Sequence, residues 1–206
     1  MTKRRLEDVT PRPGDLVDSL RDFGYTLHSA IADLVDNSIT ANARNIAIII
    51  APHGQRPAHI AVVDDGVGMS VETLVDAMRL GTNGPHAARA PHDLGRFGLG
   101  MKTASLSQGR AVTVITKRAG EKQNGRCLDV RFVREQGAWS LKAPDSPLAA
   151  EYAAAVDAQL SGTAVVVEDL DRATFLQVPP AQLHDHLGTA LLIVADQLSL
   201  FFHRFI

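Results

Sequence analysis

The chain has 206 residues, 45% of them hydrophobic and 21% charged, with a formal net charge of -2. That length supports a real core within one domain, and that charge gives no electrostatic reason to expect nucleic acid or a membrane surface as a partner. The lone cysteine, Cys127, excludes an internal disulfide and fits a reducing compartment. No apolar run reaches the length of a membrane span and no secretory h-region leads the chain, so the expected location is cytoplasmic.

Residues 1–14 read as a lead-in that ends in the turn-rich Thr10-Pro11-Arg12-Pro13-Gly14. Residues 15–206 read as one domain. Asp15 is placed to cap a short helix that runs to Phe23 and stops at Gly24. A second helix is expected from Tyr25 to Ala43. Asn45 to Ala51 and Ala58 to Val63 are apolar and β-branched, as buried strands are. Ser70 caps a helix to Leu80. From Gly81 to Gly98, glycines and prolines forbid a regular element, and a loop of that length usually serves a function. Leu99 to Ser107 is a helix with a glycine-rich entry. Ala111 to Arg118 and Arg126 to Arg134 alternate as strands around a Gly120–Gly125 hairpin loop, with a further strand at Ala138 to Lys142. A helix over Leu148 to Leu160, a strand over Gly162 to Glu168 and a closing helix over Gln182 to Arg204 follow. The order reads as α/β or α+β, with an antiparallel second half and helices over one face.

The second helix organises the chain. At about 100° per residue, Leu27, Ile31, Leu34, Val35 and Ser38 share one side, and Ser29, Asp33, Asp36, Asn37 and Thr40 the other. Asp33 and Asn37 are one turn apart, so both can face one object above the helix. A carboxylate can orient water or take its proton, and a carboxamide oxygen suits a hard cation such as magnesium. A surface helix with a solvated acidic stripe has the same pattern. Asp64-Asp65-Gly66-Val67-Gly68 stands where a strand stops. Its glycines permit a tight turn and close approach of a flat ligand, and Asp64 can accept from an exocyclic amine such as that of adenine. Gly95-Arg96-Phe97-Gly98-Leu99-Gly100-Met101-Lys102 leads into a helix whose free N–H groups and dipole favour phosphate, with Lys102 as an added point charge. It is neither a P-loop nor a dinucleotide fingerprint. The hydroxyl of Thr163, at the start of a late strand, can bridge Asp64 and a base through water.

In this order, residues 30–38 (Ala-Ile-Ala-Asp-Leu-Val-Asp-Asn-Ser), 64–69 (Asp-Asp-Gly-Val-Gly-Met) and 95–105 (Gly-Arg-Phe-Gly-Leu-Gly-Met-Lys-Thr-Ala-Ser), then Gly162-Thr163, resemble the GHKL ATPases, most of all the microrchidia type and its bacterial relatives. The resemblance implies the Bergerat α+β two-layer sandwich, a mixed and mostly antiparallel sheet covered on one face by helices. It implies ATP and Mg2+ as ligands, slow ATP hydrolysis, and an ATP-dependent homodimer within a larger protein. Asn37 would bind magnesium and Asp64 the adenine amine. Gly66, Gly68 and Met69 would line the base, and Gly95, Arg96, Phe97, Gly98, Leu99, Gly100, Met101 and Lys102 would wrap the phosphates. Thr163 would support Asp64, and Gly81 to Gly98 would form the ATP lid. Asp33 stands where many members carry Glu as general base, one methylene longer. A downstream domain that supplies a lysine to the γ-phosphate is also expected. The alternatives are a non-hydrolysing ATP sensor and a histidine-kinase catalytic domain. His86 and His92 are expected to be surface residues. His184 and His186 do not face one another, no zinc spacing exists, and Trp139, Phe201, Phe202 and Phe205 read as core or a domain seam.

Overall fold

The computed structural model describes residues 9–51, 58–79, 100–173, 178–179 and 182–202. Five strands form one sheet: β1 (Ile46–Ala51), β2 (His59–Asp64), β3 (Gly109–Lys117), β4 (Asn124–Asp129) and β5 (Gly162–Leu170). Their order is β1-β2-β5-β3-β4, and every neighbouring pair is antiparallel. The helices are α1 (Pro13–Arg21), α2 (Leu27–Thr40), α3 (Val71–Met78), α4 (Gly100–Gln108), α5 (Val130–Gln136), α6 (Pro147–Asp157) and α7 (Leu183–Phe202). The α+β sandwich expected from the sequence is the observed architecture, with the sheet antiparallel throughout.

Alternation along the strands sorts the core into two layers. Ile60 and Val62 of β2, Val165 and Val167 of β5, and Val112 and Val114 of β3 face α1, α2, α3 and α4, in the larger cluster with Ile31, Leu34 and Leu74. The residues between them, Ala61, Ile115, Ala164 and Val166, face Leu148, Tyr152 and Val156 of α6 on the opposite side. The second face is therefore closed by one helix, which the periodicity of α6 did not assign to a side. Each fully buried Val, Ile or Leu side chain among them contributes about 1.5–3 kcal/mol. The second layer also holds a buried polar pair, with His59 Nε2 2.9 Å from Tyr152 Oη.

α2 begins two residues later than expected because Thr26, not Tyr25, makes the boundary. The Thr26 hydroxyl accepts from Ser29 N and the Ser29 side chain serves Thr26 N, a reciprocal capping box. The helix stops at Thr40 because Asn42 turns left-handed at φ 57° and the amide of Ala43 returns to Ser38 O at 3.0 Å. α1 starts at Pro13, capped at Arg12. Asp15 thus lies inside the first turn rather than at the cap, because proline at the first helical position needs no N–H partner. Ser70 caps α3 as expected, accepting from Thr73 N at 3.2 Å.

Two strand expectations fail. Arg126 to Arg134 is strand only as far as Asp129, whose Oδ1 accepts from Arg131 N at 2.8 Å and Phe132 N at 3.3 Å and starts α5. Gly137, at φ 58°, ends it. Val130 and Val133 are buried, a spacing of three that suits a helix as well as alternation suits a strand. Ala138 to Lys142 contributes only one bridge, Lys142 to Cys127. Trp139 packs against the larger core cluster, as read from the sequence.

Candidate functional site

Three neighbouring strands end in a row of polar side chains on the α2 face. Asp64 closes β2 and pairs in register with Thr163 on β5, which pairs in turn with Thr116 on β3. Each continues the inward-facing positions of its own strand, so alternation that buries valines upstream points a carboxyl and two hydroxyls the same way here. The two threonine hydroxyls lie 2.9 Å apart. Thr116 Oγ1 also donates to Gly162 O at 3.1 Å and accepts from Met69 N at 2.9 Å. Thr163 thus supports Asp64 through the backbone, with its hydroxyl on Thr116. Sequence reading missed Thr116, although the series Val112-x-Val114-x-Thr116 carries the signal.

Asp64 is 5% exposed. Burial pushes its carboxyl above the usual carboxylate range, against the pull of donors from Gly66, Ser38 and the Thr163 backbone. Ser38 Oγ donates to Oδ2 at 2.9 Å and Gly66 N to Oδ1 at 2.9 Å. A carboxylate has about four lone-pair sites, so acceptor capacity remains for a ligand N–H. Asp65, next in sequence, points the other way. It accepts from Asn45 N at 2.9 Å, Asn45 Nδ2 at 2.8 Å and Arg44 N at 2.7 Å, and those donors hold it down to about 2. One carboxylate of the pair is poised in the interior and the other staples the α2–β1 turn.

The glycines of this loop are there for contact. A Cβ on Gly66 would stand 2.8 Å from both Cβ and O of Ala41. Gly68 has φ +67°, and a Cβ there would overlap the Lys117 carbonyl. Val67 N donates to Ala41 O at 2.9 Å, so the loop is laid along the end of α2.

The other part of the site lies one to two turns back along the same helix. Asp33 is half-buried and Asn37 exposed. Asn37 Nδ2 donates to Asp33 O at 2.8 Å, which turns its carboxamide oxygen away from the helix backbone. Tyr25 Oη donates to Asp33 Oδ2 at 2.7 Å. The first residue of α4 abuts the same oxygen: a Cβ on Gly100 would lie 3.2 Å from Asp33 Oδ2. Asp33 and Ser38 are separated by roughly 7.5 Å along the axis at 1.5 Å per residue, so α2 bridges the Asp64 pocket and the amino terminus of α4.

Lys102 departs from its expected place. It is 1% exposed, its Nζ donates to Ala77 O at 2.6 Å at the end of α3, and burial lowers it to about 8. Of the glycine-rich stretch, Gly100, Met101 and Lys102 are described. Gly95, Arg96, Phe97, Gly98 and Leu99 lie outside the described residues, with His86, His92 and the rest of the expected lid. Among the described residues no cluster of three metal-ligating side chains is present, and no helix is long and apolar enough to cross a membrane.

Residues 25–163 match the family model of the histidine kinase-, DNA gyrase B- and HSP90-like ATPases. The matched span opens on Tyr25 and closes on Thr163, so it holds every site residue named above. Over 109 residues the chain is 35% identical to ATPase morc-1 of Caenorhabditis elegans, covering 53% of this chain and 12% of that protein. Over 96 residues it is 30% identical to ATPase MORC2B of Mus musculus, covering 45% of this chain and 9% of the relative. The chain thus spans about a tenth of the relatives it matches. With a strand-end carboxylate, a paired threonine and the carboxylate–carboxamide helix assembled in one face, the chain belongs to the histidine kinase-, DNA gyrase B- and HSP90-like (GHKL) ATPase family.

Proposed function

We propose that the chain binds Mg-ATP along α2 and hydrolyses it slowly, with Asp33 as general base. The observation that carries this reading is a single helix that serves two acidic sites: Ser38 reaches the buried Asp64, and Asp33 meets the first residue of α4. Asp64 accepts the adenine amine through the acceptor capacity that Ser38, Gly66 and the Thr163 backbone leave free. Gly66, Gly68 and Met69 border the base, and Thr163 backs Asp64. Phosphate lies toward the amino terminus of α4, where Gly100 and Met101 offer N–H groups and the dipole favours negative charge. Gly95, Arg96, Phe97, Gly98 and Leu99 complete that cradle, and Lys102 joins it only by leaving Ala77.

The donor set fits magnesium: the Asn37 amide nitrogen is held by the helix, which leaves its oxygen to ligate a hard cation beside the phosphates. Held there, such an ion would supply neutralisation of phosphate charge. Asp33 takes the proton of the attacking water. Closure of residues 81–98 over the nucleotide, and ATP-dependent pairing of two copies, pass the signal to a larger cytoplasmic protein.

Calorimetry and hydrolysis assays test this together. ATP and ADP bind, and GTP binds about 10- to 150-fold more weakly, because its carbonyl faces the Asp64 carboxylate lone pair to lone pair. Asp33→Asn keeps ATP affinity and loses hydrolysis. Equal affinity for ATP and GTP refutes the Asp64 assignment. A non-hydrolysing sensor is the second reading, favoured by the short reach of Asp33, and turnover that Asp33→Asn abolishes excludes it.

A further inference from the structure

Asp33 is one methylene shorter than a glutamate, so its carboxylate needs an external constraint to hold a productive orientation. Tyr25 provides one. It stands just ahead of the Thr26 cap, outside α2, and its Oη reaches back to Asp33 Oδ2 at 2.7 Å. The same phenol is hydrogen-bonded by the Thr103 side chain of α4, and burial raises its pKa, so it stays a neutral donor. α4 also brings Gly100 against Oδ2. Three elements therefore meet at one carboxylate oxygen: the α1–α2 link, α2 and the start of α4.

We infer that Tyr25 is a positioning residue for Asp33. Its phenol pins Oδ2 against the start of α4 and so aims Oδ1 at the site of the attacking water. This rests on the proposal that Asp33 is the general base. The phenol touches neither nucleotide nor water. It fixes the second side-chain torsion of Asp33, while the backbone of α2 and the capping box fix everything before it. The hydrogen bond also spends one acceptor site of the carboxylate and leaves the opposite oxygen for proton uptake. Removing the phenol oxygen frees the carboxylate to swing, and misplacement on that scale costs about 10- to 100-fold in rate.

The test is Tyr25→Phe, with wild type and Asp33→Asn in parallel. Single-turnover hydrolysis of γ-labelled ATP with protein in excess gives the rate, calorimetry the ATP affinity, and thermal melting the fold. The expected result is a melting temperature near that of wild type, ATP affinity within about twofold, and hydrolysis slower by about 10- to 100-fold. A merely structural role moves affinity and rate together, because Asp33 and the nucleotide share α2, and that outcome overturns the proposal. A wild-type rate in Tyr25→Phe beside an inactive Asp33→Asn overturns the role of Tyr25 alone. A wild-type rate in Asp33→Asn, or no hydrolysis by the wild type, overturns the base assignment and the positioning role with it.

Discussion

Asp64→Asn separates recognition from folding. In the apo protein the ionised carboxylate is costly, since burial lifts its pKa against three donors. The carboxamide carries no charge and fits the same space. Its oxygen accepts from Gly66 N in place of Oδ1, where the present distance is 2.9 Å. Its amide nitrogen faces Ser38 Oγ, also at 2.9 Å, and the hydroxyl can reverse, accepting there and donating to Leu34 O, already 3.4 Å away. The Gly66 and Ser38 bonds are kept and the cost of burying a charge is shed, so the variant should be at least as stable as the wild type. The sign of the pH dependence follows. The folded pKa of Asp64 is raised, so the native state binds the extra proton between the ordinary value and the raised one, and wild-type stability falls as pH rises through that window. Asp64→Asn lacks this loss, and its advantage should grow across the same window and stay constant above it. Binding moves the opposite way. Adenine loses a hydrogen bond to a charged acceptor, worth about 1.5–3 kcal/mol or roughly 10- to 150-fold, and meets an amide donor instead. Urea denaturation from pH 4 to 8 and calorimetry with ATP read the two effects separately. A variant that is less stable than wild type at pH 7, or that binds ATP with unchanged affinity, refutes this account of Asp64.

Two further changes probe the rest of the frame. Asn37→Ala should weaken ATP binding in magnesium and change it much less in a chelator, because the carboxamide oxygen is the proposed cation ligand; an equal loss in both points to damage to α2. Arg21 is 5% exposed, donates to Leu106 O at 2.8 Å and pairs with Asp171, which Arg110 also holds at 2.7 Å. Removing one partner of a fully buried pair costs about 3–5 kcal/mol; Asp171 is only partly buried and Arg110 still faces it, so Arg21→Met should cost about 2–3 kcal/mol. An unchanged urea midpoint would contradict that.

The sequence disclosed what is local and periodic. The apolar side of α2, the apolar β-branched runs of β1 and β2, the Ser70 cap and the carboxylate at the end of β2 depend on neighbours within a few residues, and the structure has each of them in place. α5 carried its own helical signals, Asp129 ahead and Gly137 behind, but a run that alternates for four residues hid them. The partners of the site are non-local, and no pattern within one element points to them. Ser38 looked like an inward-facing residue of a helix, and only the register of β2 under α2 makes it the donor to Asp64. Thr116 became visible through β3 pairing with β5. Tyr25 meets Asp33 because a capping box bends the chain back over the first two turns of α2. Lys102 was read from charge alone. Its burial beside the last turn of α3 depends on the packing of small residues in α4, all of them enclosed from position 102 to 108.

That burial also joins α3 to α4. α3 ends at Met78 and α4 begins at Gly100, and the bond from Lys102 Nζ to Ala77 O ties the end of one helix to the first turn of the other. Bringing the ends of a free loop about 20 residues long together costs roughly 2–3 kcal/mol of chain entropy. Here the folded core has already met that cost before any nucleotide arrives. The ends of α3 and α4 are therefore held together by an ammonium in the nucleotide-free fold. The lysine that reads as a phosphate contact in the sequence also serves, in the fold, as a clasp between α3 and α4.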